Sequence, residues 1–256
     1  LLLDKGGLYK IYNGNLLFHG CIPLNEDGSL KEIQIYGKKY KGRELYDVLE
    51  TYVRRAFFAV DSMEQRKGMD ILWFIWASPS SPLFGKDKMT TFERYFIADK
   101  ETHKETKGAY YHLLENEKVV DGMIREFGLD PETGHIINGH VPVHQGDGES
   151  LVKCNGKVIV IDGGFCKAYQ KVTGIAGYTL IYNSYGLNLT AHEPFTSKAD
   201  AVARETDIVS NRVAVSYMSR RQLVGDTDTG HALKERIQEL IQLLDAYRTG
   251  IIKEKK

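Results

Sequence analysis

Two histidines stand in matching surroundings, far apart in the chain, and together they restrict how it can fold. Leu16-Leu17-Phe18-His19-Gly20 reads as an apolar strand that delivers His19 at its end. Ile136-Ile137-Asn138-Gly139-His140-Val141-Pro142-Val143 does the same for His140. A third apolar run, Val158-Ile159-Val160-Ile161, ends in Asp162-Gly163-Gly164. Side chains released at the carboxyl ends of buried strands meet where α/β sheets gather ligands, and imidazole suits a divalent metal. His19 and His140 are therefore candidate metal ligands. Glycine beside each lets a backbone or ligand approach closely, and each ring needs a partner on its other nitrogen to fix its orientation. Asp162 is a candidate to orient a histidine or touch a substrate. The structural alternative is two histidines bonded to backbone and a carboxylate satisfied by the amides of its own turn.

The chain has 256 residues, enough for one large domain or two small ones. Lys+Arg and Asp+Glu both total 34, so no global basic field exists to hold a nucleic-acid backbone. A nucleic-acid partner is not expected, nor is a membrane, since no apolar run approaches spanning length. Three cysteines without a Cys-x-x-Cys motif fit a reducing cytoplasm better than a disulfide framework. The chain opens in mid-pattern without Met, which leads us to expect a piece of something longer.

Hydrophobic period gives most of the elements. Leu8 to Leu17 predicts two strands joined at Asn13-Gly14, and Glu32 to Tyr36 a weak third. Leu45, Val48, Leu49, Tyr52, Val53, Ala56 and Phe57 recur at helical spacing. The run Ile71-Leu72-Trp73-Phe74-Ile75-Trp76-Ala77 reads as a buried strand, followed by a loop at Ser78 to Pro82. Lys100 to Lys107 reads as exposed and charged. Lys118 to Phe127 predicts a helix stopped by Gly128. A hairpin turns at Asn183-Ser184-Tyr185-Gly186, and Val213-Ala214-Val215 is a short strand. A final helix carries Leu233, Ile237, Leu240, Ile241, Leu244 and Tyr247 on one face, with Asp228 or Thr229 as its cap and Gly250 as its end.

Lys86, Lys88 and Arg94 are a candidate phosphate-binding group, because Lys and Arg donate strongly to phosphate oxygens. Asp87 and Glu93 dilute that signal, and a solvated loop is the alternative. His144, His135 and His103 read as surface or structural residues, and Cys21 as a buried, inert thiol. Gly225-Asp226-Thr227-Asp228 lacks the remaining ligands of a calcium loop and reads as a helix cap.

Phe18-His19-Gly20-Cys21-Ile22-Pro23 and Asn138-Gly139-His140-Val141-Pro142-Val143 resemble the two late histidine motifs of the calcineurin-like metallophosphoesterases. Within that superfamily, three segments resemble the bacterial class III fructose-1,6-bisphosphatases: Asn13 to Leu24, Ser81 to Phe96, and Val158 to Phe165. The resemblance implies hydrolysis of the 1-phosphate of fructose 1,6-bisphosphate in gluconeogenesis. It implies manganese, with two ions roughly 3.5–4 Å apart that clamp the phosphoryl oxygens and supply the nucleophile. His19 and His140 would then serve one ion. The early Asp-x-His, Gly-Asp-x-x-Asp-Arg-Gly and Gly-Asn-His-Glu/Asp motifs have no copy here, so the likeness is to the C-terminal part of the enzyme, and this polypeptide alone is expected to be inactive.

The expected fold is α/β, the C-terminal half of a metallophosphoesterase-type α/β/β/α sandwich. Residues 1–256 would belong to one domain, with a helical excursion from about Tyr40 to Glu132 between the two histidine strands. The expected partners are a sugar bisphosphate, the missing N-terminal part of the same enzyme, and further copies in a homo-oligomer, favoured by an exposed strand edge. Two alternatives remain: another metallophosphoesterase acting on a phosphoprotein or a dinucleoside polyphosphate, and a non-catalytic α/β interaction module.

Overall fold

The computed structural model describes residues 2–143, 148–162, 177–192, 195, 197–205, 210–218 and 220–253. The chain divides into two compact units, Leu1–Thr179 with Thr190–Asn211, and Leu180–Leu189 with Arg212–Lys256.

In the first unit a single helical turn, α1 (Leu2–Lys5), precedes β1 (Tyr9–Tyr12) and β2 (Asn15–Phe18). Asn13 and Gly14 connect the strands at φ 49° and 74°. Two consecutive left-handed residues match the twist of a tight hairpin, and Asn-Gly reaches them at least cost. The expected hairpin is therefore present, with Tyr12 opposite Asn15. A smaller hairpin, β3 (Ile33–Ile35) and β4 (Lys38–Tyr40), follows the same rule at Tyr36-Gly37.

Helix α2 (Gly42–Phe58) buries Leu45, Tyr46 and Leu49, as the spacing predicts. Helix α3 (Ser62–Ala77) corrects the expectation of a strand at Ile71–Ala77. Its start is fixed by the Asp61 carboxylate, which accepts from the amides of Met63 and Glu64, each at 2.9 Å. Ile71 and Ile75, one turn apart, share a core with Ile33, Ile35, Leu45 and Leu49. Gly68 lets the helices close: a Cβ there would lie 2.0 Å from the Cβ of Ala56. The apolar run was ambiguous because this helix is apolar on more than its buried side.

The Ser78–Pro82 loop leads to α4 (Thr91–Phe96), a 3-10 turn at Lys100–His103, α5 (Ala109–His112) and α6 (Glu117–Glu126). Gly128, at φ 80°, stops α6 as expected, its amide bonded to the Arg125 carbonyl. Lys100–Lys107 is not wholly exposed, because the Glu105 side chain is largely covered.

Strands β5 (His135–Asn138), β6 (Val152–Lys153) and β7 (Val158–Val160) complete a five-stranded sheet of order β1-β2-β5-β7-β6. The inner three strands run parallel and the outer two antiparallel. Leu16, Ile136, Val158 and Ile159 are fully buried, as inner parallel strands require. The α/β expectation is met.

Beyond β7, β8 (Gly177–Asn183) and β9 (Gly186–His192) form the expected hairpin, with the Tyr185 amide donating to Asn183 Oδ1 at 2.8 Å. Helix α7 (Lys198–Arg204) and β10 (Ser210–Tyr217) follow, and the sheet order is β10-β9-β8. The second unit ends in α8 (Asp228–Arg248). Its cap is Thr227, whose hydroxyl accepts from the Gly230 amide, and not Asp228 or Thr229. The segment 225–228 is thus a helix start, and Gly250, at φ 77°, marks its end. Among the described residues, no helix is long and apolar enough to cross a membrane.

Candidate metal centre at the carboxyl ends of the parallel strands

Three neighbouring parallel strands open onto one rim. His19 follows the last residue of β2, while His140 and Asp162 come two residues past the ends of β5 and β7. Backbone bonds tie these extensions together. The Gly139 amide donates to the His19 carbonyl at 3.0 Å, Ile161 to Asn138 at 2.8 Å, and Val143 to Asp162 at 3.1 Å. Asn138 Nδ2 donates to the Gly20 carbonyl at 3.1 Å. Among the described residues, Asn138 Oδ1 is buried without a hydrogen-bond partner, a condition that costs about 1–3 kcal/mol.

The two imidazoles meet. His19 Nε2 lies 3.0 Å from His140 Nδ1, with ring planes 68° apart. His140 Nε2 faces the Phe84 carbonyl oxygen at 2.9 Å. A carbonyl only accepts, so Nε2 carries the proton and the neutral ring turns its Nδ1 lone pair toward His19. The backbone contributes too. His140 has φ 72°, and the Val141 amide donates across it to Gly139 at 2.9 Å. This is a γ-turn with a left-handed central residue, a rare and strained form, of the kind held in place at functional sites. Burial, then the neighbouring His19 and the Lys86 charge, push the His140 pKa down, while the Phe84 carbonyl and Asp162 pull the other way. The net direction favours the neutral ring, the form that ligates metals.

A strap from Pro82 to Lys86 braces the pair. Its Pro82 carbonyl accepts from the Cys21 amide at 2.8 Å. A Cβ on Gly20 would stand 2.5 Å from Pro82 O and 2.8 Å from Leu83 O, so glycine is the residue that fits beside His19. The Phe84 carbonyl is the orienting group that the sequence did not reveal. It has no side-chain signature and sits in a distant segment.

The remaining candidates sort by distance from the pair. Lys86 follows Phe84 closely in the strap, and its charge is felt at His140. Its Nζ donates to Glu105 at 2.8 Å. Arg94 Nη2 lies 3.8 Å from the same carboxylate, and its Nε donates to Thr90 Oγ1 at 3.0 Å. Lys88 Nζ reaches only the Thr102 carbonyl, at 3.4 Å. The three cations thus cluster around Glu105 and its neighbours, and Lys86 alone adjoins the histidines. Asp162 borders Gly139 and bears on His140 electrostatically. Cys21 is buried, with Sγ 3.7 Å from the Ser81 carbonyl, and burial pushes its thiol up to about 12. It is inert, as expected. His103 bonds the Ile97 carbonyl, and His135 begins β5. His144 and the stretch from Gly163 onward to 176 lie outside the described residues.

The donors fit a divalent ion. Two ligands at about 2.1 Å from a metal and at right angles to each other are about 3.0 Å apart, which is the spacing of the two ring nitrogens. An ion held there would need further donors: among the described residues, no group of three or more His, Cys, Asp or Glu is placed to hold one.

The sequence profile of the Firmicute fructose-1,6-bisphosphatases matches residues 1–249. The class 3 fructose-1,6-bisphosphatase of Clostridioides difficile (strain 630) is 55% identical over 254 residues, covering 99% of this chain and 38% of that protein. That of Clostridium novyi (strain NT) is 54% identical over 254 residues, with the same shares of each chain covered. That of Listeria monocytogenes serotype 4b (strain CLIP80459) is 52% identical over 256 residues, covering 100% of this chain and 39% of that protein. No solved structure matches. The chain thus spans under two-fifths of the length of these relatives. A family profile that follows it from Leu1 into the turn after α8, with the histidine pair inside the matched region, places this chain in the Firmicute fructose-1,6-bisphosphatase family.

Proposed function

We propose that this chain forms one wall of a two-metal phosphomonoesterase centre that removes the 1-phosphate of fructose 1,6-bisphosphate, giving fructose 6-phosphate and phosphate. The reading is of a longer cytoplasmic enzyme of gluconeogenesis, in which residues 1–256 are the C-terminal part of one α/β/β/α domain and about 40–132 the excursion between the histidine strands. The observation that carries it is the 3.0 Å approach of His19 Nε2 and His140 Nδ1 at the carboxyl rim of the parallel strands. His19 and His140 would hold one divalent ion, manganese in this reading. When bound, such an ion supplies Lewis-acid stabilisation of phosphoryl charge.

The protein's own residues do the rest. The Phe84 carbonyl holds the His140 proton on Nε2, so Nδ1 stays available. Asp162 supplies negative charge beside the pair. Lys86, with Lys88 and Arg94 farther along the same arm, offers positive charge to a substrate phosphate. Glu105 neutralises part of that charge and fixes where the Lys86 ammonium stands.

In the full-length protein, chelation should abolish hydrolysis and manganese should restore it. His19→Ala and His140→Ala should each weaken manganese binding, read by titration, and lower turnover of fructose 1,6-bisphosphate. Faster turnover of a phosphopeptide or a dinucleoside polyphosphate would overturn the substrate assignment. Manganese-dependent phosphatase activity of the 256-residue chain by itself would overturn the claim that its ligand set is incomplete.

A further inference from the structure

Asn138 is the last residue of β5 and only 2% exposed, beside buried Ile137 and in register with buried Val160 of β7. An amide in that company must be satisfied by hydrogen bonds, and Asn138 makes them where the three strand exits meet. Its Nδ2 donates to the Gly20 carbonyl at 3.1 Å and lies 3.5 Å from the Gly139 carbonyl. Its own carbonyl accepts from the amide of Ile161, the residue before Asp162, at 2.8 Å. The Gly139 amide, next in the chain, donates to the His19 carbonyl at 3.0 Å. Consecutive donors from the end of β5 therefore grip consecutive carbonyls, those of His19 and Gly20. A single hydrogen bond leaves a segment free to swivel about it, whereas two fix both its position and its rotation. The register of β2 with β5 ends at Leu17 and Ile137, so beyond that point this grip sets how the two histidine turns lie against each other.

We infer that Asn138 is the positioning residue of the histidine pair, its side-chain amide holding the His19 turn against the His140 turn so that His19 Nε2 and His140 Nδ1 face one point. The inference rests on the pair holding a divalent ion. The Phe84 carbonyl orients one ring; Asn138 touches neither ring and sets the spacing of the two backbones that carry them. Supporting groups must hold a site of this kind within about 0.5 Å of its working geometry. An apolar residue would fill the strand position equally well, but the buried Gly20 would then lose this donor to its carbonyl.

The test uses the full-length protein. Asn138→Val puts a β-branched residue suited to a strand in the same place and removes the donor. In crystals of the metal-free variant the sheet register should be retained, while the two ring nitrogens, 3.0 Å apart in the parent, separate beyond about 3.5 Å. The manganese dissociation constant, read by electron paramagnetic resonance, should rise about tenfold, the lower end for loss of an outer partner. Val120→Ala truncates a fully buried residue of α6 and serves as a variant destabilised away from the rim; it should bind manganese within twofold of the parent. His140→Ala separates the two claims. If it binds manganese as tightly as the parent, the metal reading falls, and the ring separation alone then judges Asn138. With His140 established as a ligand, retention of either the ring approach or the parent's affinity in Asn138→Val overturns the inference, as does an equal loss of affinity in Val120→Ala. If valine overpacks the site and the protein does not fold, Asn138→Ala is judged by the same two measurements.

Discussion

Gly20→Ala isolates the strap from the histidines it braces. The new Cβ would stand 2.5 Å from the Pro82 oxygen and 2.8 Å from the Leu83 oxygen. Such contacts relax only near 3.5 Å, so the strap must retreat by about 1 Å. The Phe84 carbonyl moves with it, and its 2.9 Å bond to His140 Nε2 opens beyond hydrogen-bonding range. His140 then loses the partner that fixes its tautomer and rotation. Loss of such an outer partner lowers metal affinity about 10–100-fold, or about 1.4–2.8 kcal/mol. Overpacking against backbone adds a stability loss of about 1–3 kcal/mol. The assay is manganese titration of the full-length protein by electron paramagnetic resonance, paired with urea unfolding. Gly122→Ala is the control: its Cβ meets nothing within 4 Å, and in α6 it should stabilise by about 0.5–1 kcal/mol with affinity unchanged. A Gly20→Ala protein that loses stability yet binds manganese within twofold of the parent would refute the reasoning, because the strap would then pack without orienting.

Two further outcomes follow from packing and charge. Gly68→Ala drives a Cβ into Ala56 and should cost about 1–3 kcal/mol; an unchanged urea midpoint would show that α2 and α3 separate freely. Burial raises the Glu105 pKa, but the hydrogen bonds from Lys86 and Thr90 outweigh it and hold the carboxyl at about 2, against an ordinary 4.5. A depressed carboxylate stabilises the fold above its unfolded pKa, and that contribution is lost as pH falls from about 4.5 toward 2. Glu105→Gln should therefore flatten the decline of the urea midpoint in that window, and equal slopes for parent and variant would contradict the assigned ion pair.

Local signals carried most of the fold. Asn13-Gly14, the spacing from Leu45 to Phe57, and Gly128 each name their element because the backbone geometry and the residue type demand each other. Ile71 to Ala77 misled for the opposite reason. Seven apolar residues in a row match a buried strand, and the half of α3 that faces outward carries Trp73 and Trp76 where polar residues would have revealed a helix. The cap of α8 fell one residue early because Thr227, Asp228 and Thr229 all offer an oxygen. At the rim, the placement of His19 and His140 just past strand ends was legible from their contexts, but their 3.0 Å approach rests on β2 and β5 lying side by side. The Phe84 carbonyl is a main-chain atom, invisible to any reading of side chains. Lys86, Lys88 and Arg94 were grouped by sequence proximity, and Glu105 redistributes them.

The pairing of Leu16 with Ile136 has a consequence in time. Joining segments that far apart carries a closure entropy of about 4 kcal/mol for a flexible connection. Independent folding of the intervening helices would shorten the effective tether and lower that barrier. During translation, His19 leaves the ribosome long before its mate exists, so the nascent polypeptide holds a solitary imidazole until β5 docks. If the pair holds an ion as proposed, its capture is a late event in biogenesis, and a variant that slows helix formation between those strands would delay metallation without touching either histidine.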